Sequence, residues 1–224
     1  MKKISLILAL IVVAVGAYLL FQATNPYYGL VTEIEVQSDE ATVEYLEQQL
    51  EQTLAAMEAA YQSGETPDLD MFLIAATNAY YLGDLAQARE IYEEYFDYNS
   101  INPASWNTYA NILYKMEDWD NAEEAYRTAL ELSPMEEFYM DLVKVIEKDS
   151  ERYLEVEELL KEAVEVLGQS RSLMVALASW YEETGDCERS IAHYSVAKTL
   201  AESDTLADSV QEDIDRVEET CEQK

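Results

Sequence analysis

The side chains able to do chemistry in this chain are few. Cys187 and Cys221 are its only cysteines, and His193 is its only histidine. Two thiols can oxidise to a disulfide outside the cytoplasm. They can equally stay apart, one buried as a small hydrophobe and one at a frayed terminus. Structural zinc wants about four nitrogen or sulfur ligands, which this set does not supply. His193 has no assignable serine or cysteine nucleophile with a third orienting group, so it reads as a surface or half-buried structural residue. The chain has no glycine-rich phosphate loop, nucleophile elbow or His-Glu metal motif. Carboxylates are everywhere, and pairs such as Glu157 with Glu158 or Glu182 with Glu183 read as solvated helix faces. The expectation is a protein that is not an enzyme and carries no cofactor and no metal.

The charge narrows the partners. Against 46 acidic residues stand 14 basic ones, a net charge of −32 over 224 residues. Binding DNA, RNA or an anionic lipid surface needs Lys and Arg to neutralise phosphate, so those partners are excluded. Two readings remain: solubility in a saline environment, where self-repulsion is screened, and attraction of a basic protein or peptide.

The N-terminus points to a membrane. Met1, Lys2 and Lys3 precede an uncharged run whose first residue is Ile4 and whose last is Phe21. As a helix those eighteen residues extend about 27 Å, close to the hydrocarbon thickness of a bilayer. A cleaved signal peptide is the alternative, but the small-x-small site is poor, since Phe21 heads Phe21-Gln22-Ala23. An uncleaved anchor over 4–22 is the expectation. No Lys or Arg follows Lys3 until Arg89, which places residues 1–3 in the cytoplasm and the remainder outside it.

Behind the anchor, residues 23–37 read as a juxtamembrane linker. Asn25-Pro26 breaks the helix, and the alternation from Leu30 to Val36 suits extended backbone. A lead helix over 38–64 follows, capped by Ser38-Asp39-Glu40 and stopped by Gly64 and Pro67. Val43, Leu46, Leu50, Leu54, Met57 and Tyr61 give it one apolar stripe. That stripe either covers the start of the next element or pairs two copies of the chain as a homodimer.

From 69 to 204 the sequence repeats. Blocks 69–102, 103–136, 137–170 and 171–204 align column by column. Phe72, Trp106, Met140 and Met174 share one column, and Tyr92, Tyr126, Leu160 and Tyr194 another. A fixed period of this kind marks stacked helix pairs rather than an enzyme core. Alanines fill the columns where paired helices must approach: Ala76, Ala110 and Ala178; Ala88 and Ala122; Ala129, Ala163 and Ala197. Gly83-Asp84 and Gly185-Asp186 supply turns inside a pair.

These residues resemble the tetratricopeptide repeat family. Trp106, Tyr109, Ala110, Leu113, Ala122, Tyr126, Ala129 and Pro134 keep the family's spacing in the second block. The third block departs from it, with Lys144 and Val156 in small-residue columns and no turn glycine near Glu151, so its helices are expected to pack further apart or in altered register. The resemblance implies an all-α, right-handed helical solenoid with a concave face lined by the first helix of each pair, standing here behind the N-terminal transmembrane helix expected over 4–22. On that face it implies a partner-binding groove holding Thr77, Tyr80, Tyr81, Asn107, Asn111, Tyr114 and Lys115. Asparagines one turn apart can grip the N–H and C=O of an extended peptide, and tyrosines add rigid contact area. The basic cluster with which some family members clamp a terminal carboxylate is missing, since its columns hold Leu73, Asp141, Val175, Glu182 and Glu183.

Residues 205–224 carry a single stripe, Leu206, Val210, Ile214, Val217 and Cys221, as a capping helix should. If that helix runs antiparallel to the one before it, its end returns to the region of Cys187, and a Cys187–Cys221 disulfide is expected. The functional expectation is a membrane-anchored, extracytoplasmic scaffold or adaptor for envelope proteins. The alternative is a self-assembling structural component that dimerises through residues 38–64.

Overall fold

The structure, a computed structural model, describes residues 25–35 and 38–222. The expected anchor over 4–22 lies outside them, and no helix among the described residues is long and apolar enough to cross a membrane. Among the described residues ten helices follow one another: α1 (Glu40–Ser63), α2 (Leu69–Leu82), α3 (Leu85–Tyr98), α4 (Pro103–Lys115), α5 (Trp119–Leu132), α6 (Glu136–Ile146), α7 (Glu155–Leu167), α8 (Arg171–Glu183), α9 (Cys187–Thr199) and α10 (Asp204–Glu222). They divide between two compact units. The first holds the described residues up to Tyr98 with the turn Lys115–Asp118, and the second holds Asn99–Tyr114 and the chain from Trp119 onward.

In the first unit, α1 packs on α2 and α2 on α3. Asp39 caps α1 by accepting the Thr42 N–H at 3.0 Å, and left-handed Gly64 (φ 78°) ends it. Ala75, Ala76 and Ala79 of α2 and Ala88 of α3 are fully buried, so little beyond Cβ separates the two backbones. Rings fill the space beside them. Phe72 lies 6.4 Å from Tyr95 and 5.5 Å from Tyr98, centroid to centroid, and the large Tyr95 is buried in the column that Ala129, Ala163 and Ala197 fill in the later blocks. Each such side chain contributes about 1.5–3 kcal/mol by leaving water. The α1 stripe is covered less completely: Met57 is buried, but Val43, Leu46, Leu50 and Leu54 are half-buried.

The segment before α1 is not a free linker over its described part. The first turn of a helix leaves backbone N–H groups without partners. In α3 the N–H groups of Leu85 and Ala86 donate to the Thr32 carbonyl, at 2.9 and 3.1 Å. Ile34 donates to the Gly83 carbonyl at 3.0 Å and Val31 to Met116 at 2.9 Å, while Glu33 forms an antiparallel bridge with Asp84. Residues 31–34 are therefore a strap across the α2–α3 turn. Tyr27 adds a hydroxyl bond to Glu90 at 3.0 Å and lies 5.5 Å beneath the Arg89 guanidinium.

In the second unit each helix from α5 to α10 packs on the next. Asn102 and Pro103 start α4, the asparagine side chain accepting the Ala104 N–H at 3.1 Å and proline occupying a position that needs no donor. Ala110, Ala122, Ala129, Ala163, Ala178 and Ala197 are all fully buried at helix crossings. The turn column is less uniform. Gly83 and Gly185 adopt left-handed backbone (φ 86° and 81°), Glu117 does so without being glycine (φ 62°), and Glu151 does not. Between α6 and α7 the chain runs through an irregular loop over 147–154 instead. Arg152 ties this loop to α5, reaching Glu123 at 2.6 Å, and holds Glu155 at 2.8 Å. At the end of the chain Val210, Ile214 and Val217 bury one face of α10.

A cleft between α6 and α8

The third block lacks the small residue and the turn glycine that would draw its helices together, and a cleft opens beside it. Lys144 stands in the column of Ala76, Ala110 and Ala178, and its side chain points away to the Asp141 carboxylate at 2.7 Å rather than filling a crossing. Val156, in the column of Ala88 and Ala122, is fully buried and takes more room than the alanine found there in the first two blocks. The result is a cleft of about 420 Å³ with Met140 and Val143 on one wall and Val175, Ala176 and Trp180 on the other. Val156 and Leu160 of α7 form its floor. Along α8 it extends about 16 Å, from Ser172 to Glu183.

Its two ends differ in charge. Arg171 lines the end where α8 begins. Glu147 and Glu183 line the opposite end, where α6 and α8 finish. Burial and the neighbouring Glu183 charge both push the Glu147 carboxyl above the usual range. Tyr153 donates its hydroxyl to Glu183, and burial together with that bond raises the phenol. The ring is fixed from below: it stacks on Trp180 (6.1 Å, 24°), whose indole N–H donates to the Tyr153 carbonyl at 3.2 Å. Lys144 is occupied by Asp141, and Lys148 lies over the Tyr114 and Trp119 rings at 5.3 and 5.5 Å. Among the described residues no Lys or Arg forms an ion pair with Glu147 or Glu183.

The residues nominated from the sequence fall in both units. In the first, Thr77 and Tyr81 are exposed, and half-buried Tyr80 sits edge-on to Tyr81 at 5.5 Å with the Lys115 ammonium 5.9 Å from its ring centre. In the second, Asn111 is half-buried and donates to the Asn107 carbonyl at 3.0 Å, and Tyr114 packs edge-on to Trp119 at 5.1 Å. Asn107 departs from expectation. It is only 7% exposed, and its side-chain oxygen is buried with no hydrogen-bond partner among the described residues. A groove residue waiting for peptide should be open to solvent; Asn107 is packed inside α4's contacts. Sequence reading did not nominate Met140, Glu147, Tyr153 or Trp180. The signal that leads to them is the degeneracy of the third block itself.

Residues 103–135 match the family model for the tetratricopeptide repeat. No curated protein matches the chain in sequence. In fold the chain is similar to MamA, with a TM-score of 0.55 and 11% identity over 72% of this chain and 94% of that one. It is similar to yeast Tom70, with a TM-score of 0.57 and 15% identity over 83% of this chain. The match spans 45% of the Tom70 chain. MamA from Desulfovibrio magneticus gives a TM-score of 0.50 at 15% identity, over 69% of this chain and 95% of that one. At such identities the likeness is one of fold, an all-helical tetratricopeptide-like architecture.

Proposed function

We propose that the chain is a non-catalytic interaction scaffold, tethered to the cytoplasmic membrane and displaying its repeats outside it, that binds a protein or an extended peptide. The α6–α8 cleft carries the binding part of this reading. A concave, mostly apolar slot with a few fixed polar groups at its ends is the form a ligand site takes. The tether is supported by the uncharged run from residue 4 to residue 21 behind two lysines. A role among envelope proteins follows from that placement. Photo-crosslinkers placed at Val175 and Ala176 in native membranes should capture a partner, and crosslinkers at exposed Glu218 and Glu219 should not. Equal capture from both surfaces would overturn the reading.

A second reading, self-assembly through residues 38–64, is favoured by one observation. α1 is 24 residues long while its partner α2 has 14, and Tyr45 on α1 is 61% exposed. Sizing of the detergent-solubilised chain, with Leu46 and Leu50 intact or both changed to Gln, decides it. A dimer that becomes a monomer supports self-assembly, and a monomer throughout removes it.

A further inference from the structure

We propose that the α6–α8 cleft selects a peptide segment in which an apolar side chain and a Lys or Arg stand two to four residues apart, the cation seated between Glu147 and Glu183. The inference rests on the reading of the chain as a peptide-binding scaffold and adds the chemistry of what is bound.

The carboxylate end is built at an electrostatic cost. Helix C-termini carry partial negative charge, so acidic side chains there are disfavoured. Glu183 nevertheless ends α8 and Glu147 immediately follows α6. Both carboxylates line this end of the cleft, and the Glu183 charge adds to burial in disfavouring ionisation of Glu147. Lys148 and Lys144 offset this only in part, because Lys144 is held by Asp141 and Lys148 lies over the Tyr114 and Trp119 rings. A cation entering from outside would remove the repulsion and gain both helix termini as partners. This end has the opposite sign to a site that clamps a terminal carboxylate.

The apolar stretch sets the second requirement. Trp180 is locked against Tyr153, so it offers a rigid wall rather than a collapsible one. Met140 and Val175 remain half-buried on either side of the slot. A volume of about 420 Å³ takes roughly two large apolar side chains. A strand rising about 3.3 Å per residue reaches from that stretch to the carboxylates within a few residues, which fixes the spacing. Arg171 at the far end would orient the segment, favouring an acidic residue or a chain end there.

The test must separate this site from the general attraction that a net charge of −32 exerts on any cation. The full chain in a non-ionic detergent is applied to an array of random hexapeptides, and the peptides it retains are re-measured by fluorescence anisotropy. Retained peptides should combine an apolar residue with Lys or Arg at the stated spacing. The Glu147→Gln/Glu183→Gln variant should bind them about fivefold more weakly, a loss of the size expected for a solvent-accessible ion pair. The Glu218→Gln/Glu219→Gln variant, which removes the same charge from an exposed face, should bind them unchanged. Val175→Trp, which fills the slot, should abolish retention, with circular dichroism reporting that the fold persists. Equal loss in the two glutamine pairs, or retained peptides lacking a basic residue, would overturn the proposed chemistry while leaving peptide binding intact. Retention that survives Val175→Trp would overturn the cleft as the site while leaving the scaffold reading standing, and no retention at all would overturn both.

Discussion

Cys187, the first residue of α9, and Cys221, in the last turn of α10, lie with their Cα atoms 6.3 Å apart and their sulfurs within bonding distance. The two helices run antiparallel, so a separation of 34 residues along the chain returns to one point in space. That spacing is within the range a disulfide spans without backbone movement.

Protein isolated without reductant should therefore show no thiol reactive to a maleimide probe after denaturation. Closing a loop of this length contributes about 2–4 kcal/mol by restricting the unfolded chain. Cys187→Ser/Cys221→Ser, or wild type in reductant, should lower the denaturation midpoint accordingly. Two free thiols in the native preparation would count against the bond and against an oxidising location.

Glu123 supplies a pH signature. Hydrogen bonds from Arg152 and then Arg127 hold its carboxyl down to about 2, below the ordinary value of 4.5. A carboxyl whose folded value is depressed stabilises the fold fully above its unfolded value and loses that contribution as pH falls through the folded one. The loss belongs to the window from about 4.5 down to about 2. Glu123→Gln should cost about 1–2 kcal/mol at pH 7, allowing for partial solvent screening, and should flatten stability against pH across that window. An unchanged acid profile would show that the pairing contributes nothing.

Glu117 occupies left-handed backbone in a column where Gly83 and Gly185 do the same without strain. For a residue with a side chain this conformation costs about 1–2 kcal/mol, part of which glycine gives back through its more flexible unfolded state. Glu117→Gly should stabilise the chain by about 0.5–1 kcal/mol in urea unfolding. Glu117→Ala, which keeps a Cβ, should not. A destabilised glycine variant would place the cause elsewhere in the turn.

Topology is tested on cells. Protease added to spheroplasts should digest the repeats while the membrane stays sealed, given the lack of Lys and Arg between Lys3 and Arg89. Protection until lysis would remove the extracytoplasmic placement. A mature chain lacking residues 4–21 would remove the anchor.

Helix pairing was legible in the sequence because it depends on residue type. Buried alanines mark the crossings, and large rings such as Tyr126 and Tyr194 fill between them. The cleft was not legible as a site, because it arises from what Lys144 and Val156 fail to do. Their columns showed that the third pair is loose without showing where the space would open. Asn107 misled for a different reason: side-chain chemistry suited to gripping a peptide says nothing about which way the residue faces, and the packing buries it. The strap was half legible. Alternation from Leu30 suggested extended backbone, but its partners are the backbone groups of Gly83, Leu85 and Ala86, which carry no residue-type signature.

The strap also decides how the molecule would respond to being pulled. Tension arriving from the N-terminal side enters the fold at residues 31–34, through backbone hydrogen bonds to Gly83, Leu85, Ala86 and Met116. It bypasses α1, although α1 is the next helix along the chain. Those bonds would have to part before any stretching reached α1, so the lead helix is mechanically shielded while the α2–α3 turn takes the strain.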